Sequence, residues 1–346
     1  NMSIVYNDVE TKAYMSRILS TGIENPVLVD KYMMGIELEV DVISDGKDVL
    51  IPGVMEHIER AGVHSGDSIA VYPPYNLQDK MLNNVIESSE KLALSLGTKG
   101  LVNIQYLIFR NELYVIEVNP RASRTVPYIS KVTGVPMVDI ASRVMLGAPL
   151  PSLGYGTGLY KTPPYYAVKV PVFSFEKLTD VNSYLGPEMK STGEAIGYDK
   201  TMTRALYKAL QSSGMNVVNY GTILVTIADR DKEEALPLIR RFYELGFNIE
   251  ATHGTAEFLK KHGIRTRERE KISEGSEEIL DSIRRGYVNY VINTRDINSD
   301  TVMSDGYEIR RCAVENNVTM FTALDTVRVL LDVLEETTLG ISIIDA

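Results

Sequence analysis

The chain contains 346 residues, of which 44% are hydrophobic and 24% are charged, and its formal net charge is −10. This composition is typical of a globular protein with two or three domains. The negative charge argues against a general nucleic-acid or membrane binder. The single cysteine, Cys312, excludes an intrachain disulfide and suggests a reducing compartment. Because no apolar run approaches the roughly 20 residues that span a bilayer, the sequence predicts a cytoplasmic protein.

The first 150 residues carry strand patterns that are broken by turn residues. We predict strands at 27–33, 36–44 and 48–58, a hairpin formed by 101–109 and 113–119, and helices at 78–96 and 136–146. Eight glycines and prolines between 147 and 167 predict an ordered connector, with a long surface loop as the alternative.

From about residue 219 onward, strand and helix patterns alternate. Strands are predicted at 222–228, 247–251, 264–267, 287–293 and 319–321, and helices at 255–262, 276–285, 305–316 and 325–336. A further helix before Gly246 has Leu236, Ile239, Phe242 and Tyr243 on one face, and Pro237 is expected to bend it. The alternation predicts a small parallel sheet covered on both faces, in a separate C-terminal domain.

The hairpin places polar side chains together at the end away from its turn, namely Asn103, Gln105, Glu117 and Asn119. A three-residue turn would set Gln105 opposite Glu117, whereas a two-residue turn would set it opposite Ile116. The first register keeps polar and apolar groups apart, so we expect a Gln/Glu/Asn cluster. Such oxygen donors, without His or Cys, suit Mg²⁺ or Mn²⁺.

Two further features could serve the same site. Arg121 and Arg124 follow the hairpin and could hold an anionic substrate or a transferred phosphoryl group. The segment MEHIERAGVHSGDS at 55–68 has two histidines, two glycines and several carboxylates, and could cover a nucleotide. The alternatives are surface arginines at a solvent-facing strand end and an ordinary polar loop, and the spacing from His57 to His64 fits no standard metal pattern.

Three long motifs, taken in order, carry a resemblance to a known family. MEHIERAGVHSGDS at 55–68, IEVNPRASRTVP at 116–127 and LGPEMKSTGEAIG at 185–197 resemble the large chain of carbamoyl-phosphate synthases, in the later part of its second ATP-grasp unit. THGT at 252–255 resembles the start of the appended regulatory domain. The implied fold is α/β and α+β: a truncated ATP-grasp fold with a mostly antiparallel sheet at 1–212, including the connector, followed by a small Rossmann-like parallel α/β domain of the methylglyoxal-synthase (MGS)-like type at 213–346.

The resemblance implies a role for each matching residue of the first domain. Gln105, Glu117 and Asn119 match the divalent-metal ligands, and Arg121 and Arg124 match the arginines near carbamate and the transferred phosphoryl group. The residues that match nucleotide-binding positions are Met33 at adenine, Glu37 at the ribose hydroxyls, and Val63, His64 and Ser65 in the loop that closes on ATP. Gln105 and Glu117 are counted with both the nucleotide and the metal.

The implied reaction is the ATP-dependent phosphorylation of carbamate, which yields carbamoyl phosphate for pyrimidine or arginine biosynthesis, by positioning and charge neutralisation without a protein nucleophile. The family's glycine-rich phosphate lid and first subdomain would precede Ser3, so we expect this chain to be inactive alone. The implied partners are that N-terminal part of the large chain and a glutaminase small subunit. The sequence leaves open an isolated nucleotide-sensing module, or a different ATP-grasp ligase.

The segment THGT lies where a strand ends and a helix starts, which is a favourable place for an anion. The resemblance implies a pocket for an allosteric nucleotide, typically UMP, formed by Lys232, Thr252, Thr255, Lys271, Asn293 and Thr294. A solvated helix cap with surface lysines is the alternative, and a lyase acting on a small phosphate ligand is another for the isolated domain.

Ornithine is a second effector in this family. Glu59, Asp67 and Thr322 match ornithine contacts, but Val170 and Met320 stand where ornithine-responsive members carry Glu and Tyr. The loss of a carboxylate that pairs with a cation costs about 1.5–3 kcal/mol, so we expect weak or absent ornithine binding.

Overall fold

The computed structural model describes residues 4–5, 7–20, 22, 26–175, 177, 182–294 and 304–339. These residues form two sheets, one with eight strands and one with five. Among the described helices, none is both long enough and apolar enough to cross a membrane.

The first sheet is mostly antiparallel, as predicted. Its strands are β1 (Ile36–Ser44), β2 (Val49–His57), β3 (Ala70–Tyr72), β4 (Gly100–Phe109), β5 (Glu112–Asn119), β6 (Gly158–Leu159), β7 (Tyr166–Val172) and β8 (Gly193–Asp199). They follow the order β5-β4-β1-β2-β3-β7-β8, and β6 adds a short parallel pairing to β2.

Helices cover this sheet unevenly. They are α1 (Asp8–Ser20), α2 (Asp79–Ser95), α3 (Thr125–Thr133), α4 (Met137–Met145) and α5 (Met202–Ser212). Because side chains alternate along a strand, Leu38, Val40 and Val42 of β1 pack in the cluster that includes α2. On the opposite face Ile43 packs in the apolar cluster of α3 and α4, while Glu39 and Asp41 accept hydrogen bonds from Thr125 at the start of α3.

The strand predicted at 27–33 is wrong. Both edges of β1 are already paired, one with β2 and one with β4, so the preceding segment has no neighbouring edge to join. Leu28 is 83% exposed and Val29 is 65% exposed, in chain without regular structure. The helices predicted at 78–96 and 136–146 are confirmed as α2 and α4, whereas α3 was not predicted.

The second sheet is entirely parallel, as predicted. Its strands are β9 (Thr222–Thr226), β10 (Asn248–Thr252), β11 (Thr266–Arg269), β12 (Tyr290–Asn293) and β13 (Thr319–Phe321), in the order β11-β10-β9-β12-β13. Its helices are α6 (Lys232–Glu244), α7 (His253–Lys261), α8 (Glu278–Arg284), α9 (Asp305–Glu315) and α10 (Leu324–Leu339). Pro237 lies inside α6, which continues past it.

Both faces of this sheet are covered, which confirms the prediction. Ile223 and Val225 of β9 pack in the cluster that contains α6, α7 and α10. The intervening Leu224 packs with α8 and α9 on the other face. The central strands are therefore apolar on both sides.

The two sheets share one hydrophobic cluster. Val168 and Val170 of β7, Leu206 and Leu210 of α5, and Ile223 of β9 all belong to it. Polar contacts reinforce this junction through the loop after β2. There the Glu59 carboxylate accepts a hydrogen bond from the Thr326 hydroxyl at 2.8 Å, and the Arg60 guanidinium pairs with Asp325 at 3.0 Å and with Glu234. The domain boundary expected between residues 212 and 213 stays a prediction.

Candidate functional site

Two rows of polar residues cross the first sheet. Cross-strand pairing places Glu39 of β1 beside Gln105 of β4, and Gln105 beside Glu117 of β5. The next row joins Asp41, Asn103 and Asn119 in the same way. The predicted cluster of Asn103, Gln105, Glu117 and Asn119 is therefore confirmed as a structural arrangement.

The turn that sets this register differs from the prediction. Phe109 pairs directly with Glu112, so the turn has two residues, Arg110 and Asn111, with φ values of 52° and 64°. A two-residue turn with both φ values positive suits the twist of a hairpin. The register then shifts between Gln105 and Tyr106, and Ile116 is the extra residue of a β-bulge.

The bulge restores the pairing of Gln105 with Glu117 that the turn alone would have lost. Ile116, the extra residue of the bulge, is 46% exposed. The predicted pairing is right, while the predicted three-residue turn is wrong.

Hydrogen bonds connect the side chains of these rows to one another and to the facing loop. Asn119 Nδ2 donates to Glu117 Oε1 at 2.9 Å, and Gln105 Nε2 donates to the Ser65 hydroxyl at 3.2 Å. Within the described parts of the chain no group of three or more His, Cys, Asp or Glu residues could hold a metal. One exposed carboxylate with two carboxamides still fits a cation such as Mg²⁺, which completes its shell with phosphate oxygens and water.

The two predicted arginines have different surroundings. Arg124 directly precedes α3, and its Nη1 donates to the Ser191 hydroxyl at 3.1 Å. Arg121 is exposed, and its Nη1 donates to the Ala122 carbonyl at 3.0 Å. The structure thus brings Arg124, but not Arg121, into contact with the segment before β8.

The predicted nucleotide-binding residues surround the Glu37 end of β1. Glu37 is 8% exposed and contacts His57 Nδ1 at 3.4 Å, while Met33 is half-buried in the segment that leads into the strand. Val63, His64 and Ser65 are half-buried in the loop that reaches Gln105.

Behind these rows lies a buried ionic cluster that sequence reasoning missed in part. The His57 ring contacts Glu37 and Glu39 at 3.4 Å each. Burial opposes its protonation, but these carboxylates outweigh burial and raise the pKa of His57 to about 9. Burial and then the Glu39 charge raise the pKa of Asp41 to about 6. Acidic residues at alternate positions of one strand, in the pattern ELEVD, were the available signal.

Lys169 of β7 provides the opposite charge in this region. Its side chain is completely buried, and its Nζ donates to the Ser65 carbonyl at 3.2 Å. Burial lowers the pKa of Lys169 even though Glu194, Glu39, Glu59 and Asp67 attract its charge. Because three sequence-distant elements converge here, neither Lys169 nor Glu194 could be placed from local pattern.

The six residues expected at the regulatory pocket lie around the carboxyl-terminal rim of the second sheet. Thr252 ends β10 and Asn293 ends β12, with Thr294 directly after it. The Thr255 hydroxyl accepts a hydrogen bond from Ile227 N at 3.3 Å, and the Thr294 hydroxyl accepts one from Ala228 N at 2.9 Å.

The side chain of Lys232 reaches from the start of α6 to the start of α7 at this rim. Lys232 Nζ donates to the Gly254 carbonyl at 3.0 Å and pairs with Asp229 at 2.6 Å. Lys271 follows β11 on the same side, is exposed, and interacts electrostatically with Asp229. Among the described residues of this rim, Lys232 and Lys271 thus lie near the amino terminus of α7, and Asp229 interacts with both.

The three residues expected to contact ornithine line one cavity of about 400 Å³ between the sheets. Glu59, Asp67 and Thr322 face it together with Val170 and Met320. Both carboxylates are already engaged. Glu59 accepts bonds from the Ile69 amide and Thr326, and Asp67 accepts bonds from the Lys190 and Ser191 amides, all at 2.7–2.8 Å.

Solved structures of similar shape are distant in sequence. The biotin carboxylase of Campylobacter jejuni is 19% identical with a TM-score of 0.48, over 61% of this chain and 54% of that one. The N5-carboxyaminoimidazole ribonucleotide synthetase of Thermotoga maritima is 17% identical with a TM-score of 0.42, over 57% and 56%. Likenesses of this degree do not bear on function.

Sequence families give a stronger result. Residues 1–153 match the family "Carbamoyl-phosphate synthase L chain, ATP binding domain", and residues 234–322 match the MGS-like domain family. Carbamoyl phosphate synthase large chains of two Clostridium botulinum strains, Kyoto (type A2) and Langeland (type F), are each 51% identical over 333 residues, which is 96% of this chain. The chain spans 31% of the length of these relatives. Over nearly all of its length it is thus similar to the C-terminal part of a carbamoyl phosphate synthase large chain, with an ATP-binding domain of that family followed by an MGS-like domain.

Proposed function

We propose that this chain contributes to the ATP-dependent phosphorylation of carbamate in a carbamoyl phosphate synthase. The observation that carries the proposal is the row of Glu39, Gln105 and Glu117 across three strands, with Ser65 of the facing loop bonded to Gln105. It sets hard oxygen donors opposite a polar loop, inside the region that matches the family's ATP-binding domain.

In the proposed reaction a carbamate oxygen attacks the γ-phosphorus of ATP, and the bond from that phosphorus to the β–γ bridging oxygen breaks. The products are ADP and carbamoyl phosphate. Gln105, Glu117 and Asn119 would hold Mg²⁺ or Mn²⁺, which neutralises phosphate charge. Arg124, fixed to Ser191 at 3.1 Å, would hold the anionic substrate or the transferred group, and Arg121 would reach it after a change of rotamer.

The surrounding residues of the chain would bind the nucleotide. The Glu37 carboxylate would accept the ribose hydroxyls, backbone near Met33 would meet adenine, and Val63, His64 and Ser65 would close over the phosphates. His57 would keep Glu39 ionised, because its hydrogen bond and charge outweigh burial and lower the pKa of that carboxyl. No protein nucleophile is needed, because positioning and charge neutralisation account for catalysis of this type.

Binding of MgADP tests this site directly. Glu117→Ala should weaken MgADP binding to the 346-residue chain at least tenfold, since it removes the one carboxylate of the ligand set. Glu112→Ala is the matched control, because Glu112 is an exposed carboxylate at the turn end of the same strand. Isothermal titration calorimetry with MgADP measures the dissociation constant for the wild type and both variants. Equal MgADP affinity in wild type and Glu117→Ala would refute the assignment.

Because the chain spans 31% of its relatives, we propose that turnover requires the remainder of the large chain and a glutaminase small subunit. The purified chain should therefore not form carbamoyl phosphate by itself. Measurable ATP-dependent synthesis from carbamate would contradict this. The pathways served would be pyrimidine synthesis, arginine synthesis or both.

We further propose that the rim of the second sheet binds a regulatory nucleotide such as UMP. Lys232 and Lys271 would take the phosphate at the amino terminus of α7, and Thr252, Thr255, Asn293 and Thr294 would supply hydrogen bonds. UMP at 100 times its dissociation constant should stabilise the chain by about 2.7 kcal/mol. Unchanged thermal unfolding with excess UMP would reject the pocket, whereas stabilisation by UMP but not MgADP would favour an isolated nucleotide sensor.

Ornithine should bind weakly or not at all. Glu59 and Asp67 already accept hydrogen bonds from the protein, and Val170 and Met320 add only apolar surface to the cavity. A submicromolar dissociation constant for ornithine, measured by calorimetry, would contradict this proposal.

A further inference from the structure

We propose that residues 182–191, here called the strap, tie the rim of the second sheet to the loop at 64–68, and that Arg310 is the positioning residue at the rim end. This inference deepens the proposed function, since it rests on the loop serving the nucleotide and on the rim serving an effector. It assigns to a segment between the two sites the task of setting their relative position.

At the rim end, one side chain joins the two parts. Arg310 of α9 is 1% exposed, and its Nη1 donates to Asn293 Oδ1 at 2.7 Å. Its Nη2 donates to Asn182 Oδ1 at 3.2 Å, and its guanidinium lies 5.9 Å from the Tyr184 ring centroid. A planar guanidinium with several fixed donors can bridge two carboxamides in this way, whereas an ammonium group cannot do so with the same geometry.

The middle of the strap is anchored to the second sheet again. Leu185 N lies 3.5 Å from the Thr322 hydroxyl, which follows β13. Within the described residues, the strap thus contacts the second region both through Arg310 and through Thr322.

At the other end, the strap holds the loop by backbone contacts. His64 N donates to the Gly186 carbonyl at 2.9 Å. The Asp67 carboxylate accepts both the Lys190 and the Ser191 amides at 2.8 Å, and the Ser191 hydroxyl donates to the Gly66 carbonyl at 3.0 Å. Asp67 is completely buried, so its carboxylate bonds to the strap and does not contact solvent.

The rim end is closely packed. A Cβ added at Gly306 would lie 3.2 Å from Arg310 Nη1 and 3.5 Å from Asn293 Nδ2. A change in the position of the Asn293 carboxamide must therefore move Arg310, since little free space remains to absorb it. Motion of Arg310 then acts on Asn182 and on the strap.

Hydrogen exchange of the His64 amide tests the strap in the 346-residue chain without any ligand. Asn182→Ala removes the oxygen that accepts from Arg310 and also from the Tyr184 amide within the strap, and it should accelerate exchange at His64 at least tenfold, the effect expected from losing one buried hydrogen bond. Gly306→Ala should act in the same direction from the rim side. Asn182→Asp keeps an oxygen acceptor for the guanidinium and should restore slow exchange.

Arg311→Ala is the matched control, because Arg311 is the next residue of α9 but is exposed and pairs with Glu315. In Arg311→Ala, the His64 amide should exchange at the wild-type rate. Unchanged exchange in Asn182→Ala, or equal acceleration in Arg311→Ala, would overturn the proposal.

A second measurement adds saturating UMP. UMP should slow exchange at His64 in the wild type and lose this effect in Asn182→Ala. If UMP fails to protect residues 252–256, the effector proposal fails, while the ligand-free comparison still decides the strap. Protection of 252–256 with the same slowing at His64 in both proteins would overturn the strap alone.

Discussion

The central strands of the two sheets carry their polar residues in opposite places. β1 has Glu37, Glu39 and Asp41 in mid-strand, all on one face. β9 and β12 have no charged side chain, and their polar residues stand at the strand ends. The difference follows from coverage. Beside Glu37–Asp41 the antiparallel sheet is covered by polar partners such as His57 and Thr125, whereas a parallel sheet is packed on both faces by apolar groups and presents polar groups only where its strands end.

This difference has an energetic consequence. Charges in mid-strand are buried with one another, so the first region depends on a balance among His57, Lys169 and their carboxylates. Charges at the rim of the second sheet, such as Lys271, remain partly in water. Substitutions should therefore affect stability in the first region, and ligand affinity more than stability in the second.

The largest effect is expected for Lys169→Met. Removing one partner from a buried ionic group costs about 3–5 kcal/mol, because several carboxylates then lie buried without compensation. Burial already raises the pKa of Glu194 and of Glu59, so the loss should be smaller at pH 5 than at pH 8. Urea unfolding at both pH values measures it. Lys271→Met, at the exposed rim, is the control, and an equal loss in both variants would remove the distinction between the regions.

The next effect concerns pH. The pKa of His57 in the folded chain is about 9, above its ordinary value of 6.5, so its stabilisation is complete below pH 6.5 and is lost as the pH rises through 9. Between pH 7 and pH 10 the wild type should lose about 2–3 kcal/mol more unfolding free energy than His57→Gln. Parallel pH profiles of the two proteins would contradict this assignment.

A smaller effect is expected where the two regions meet. Thr326→Val keeps the side-chain shape but removes the hydroxyl that donates to Glu59 at 2.8 Å. We expect a loss of about 1–2 kcal/mol in unfolding free energy. Thr337→Val, which removes a hydroxyl bonded only within α10, is the comparison in urea titrations. A larger loss from Thr337→Val would show that the junction adds little.

The smallest effect on stability is expected for Asp229→Asn. This carboxylate is 94% exposed and pairs with Lys232 at 2.6 Å, so its removal should leave unfolding nearly unchanged. It should strengthen UMP binding severalfold, because the lysine no longer has a competing anion. Calorimetric titration with UMP measures this, and weaker binding in Asp229→Asn would place the phosphate elsewhere.

Much of the second region follows from its sequence. All five strands of the parallel sheet were predicted, because central strands such as β9 and β12 are apolar runs between helices with clear ends. The edge strand β11 is polar, and its predicted range of 264–267 overlaps it only at Thr266 and Arg267. The first region was less predictable. The segment 27–33 has strand residues but no free edge beside it. Helix α3 begins inside the motif at 116–127, whose polar residues indicated a binding site and not a helix.

The sequence by itself determined that Gln105 and Glu117 lie together, since alternation and hairpin closure are local properties. Only the tertiary structure decided how they meet, through a two-residue turn and a bulge at Ile116, because the twist of the strands selects the turn. Contacts between distant segments also required the fold. Lys169 reaches Ser65 across the sheet, and Arg310 joins Asn293 to Asn182, because packing of whole elements brings together residues that local pattern does not relate.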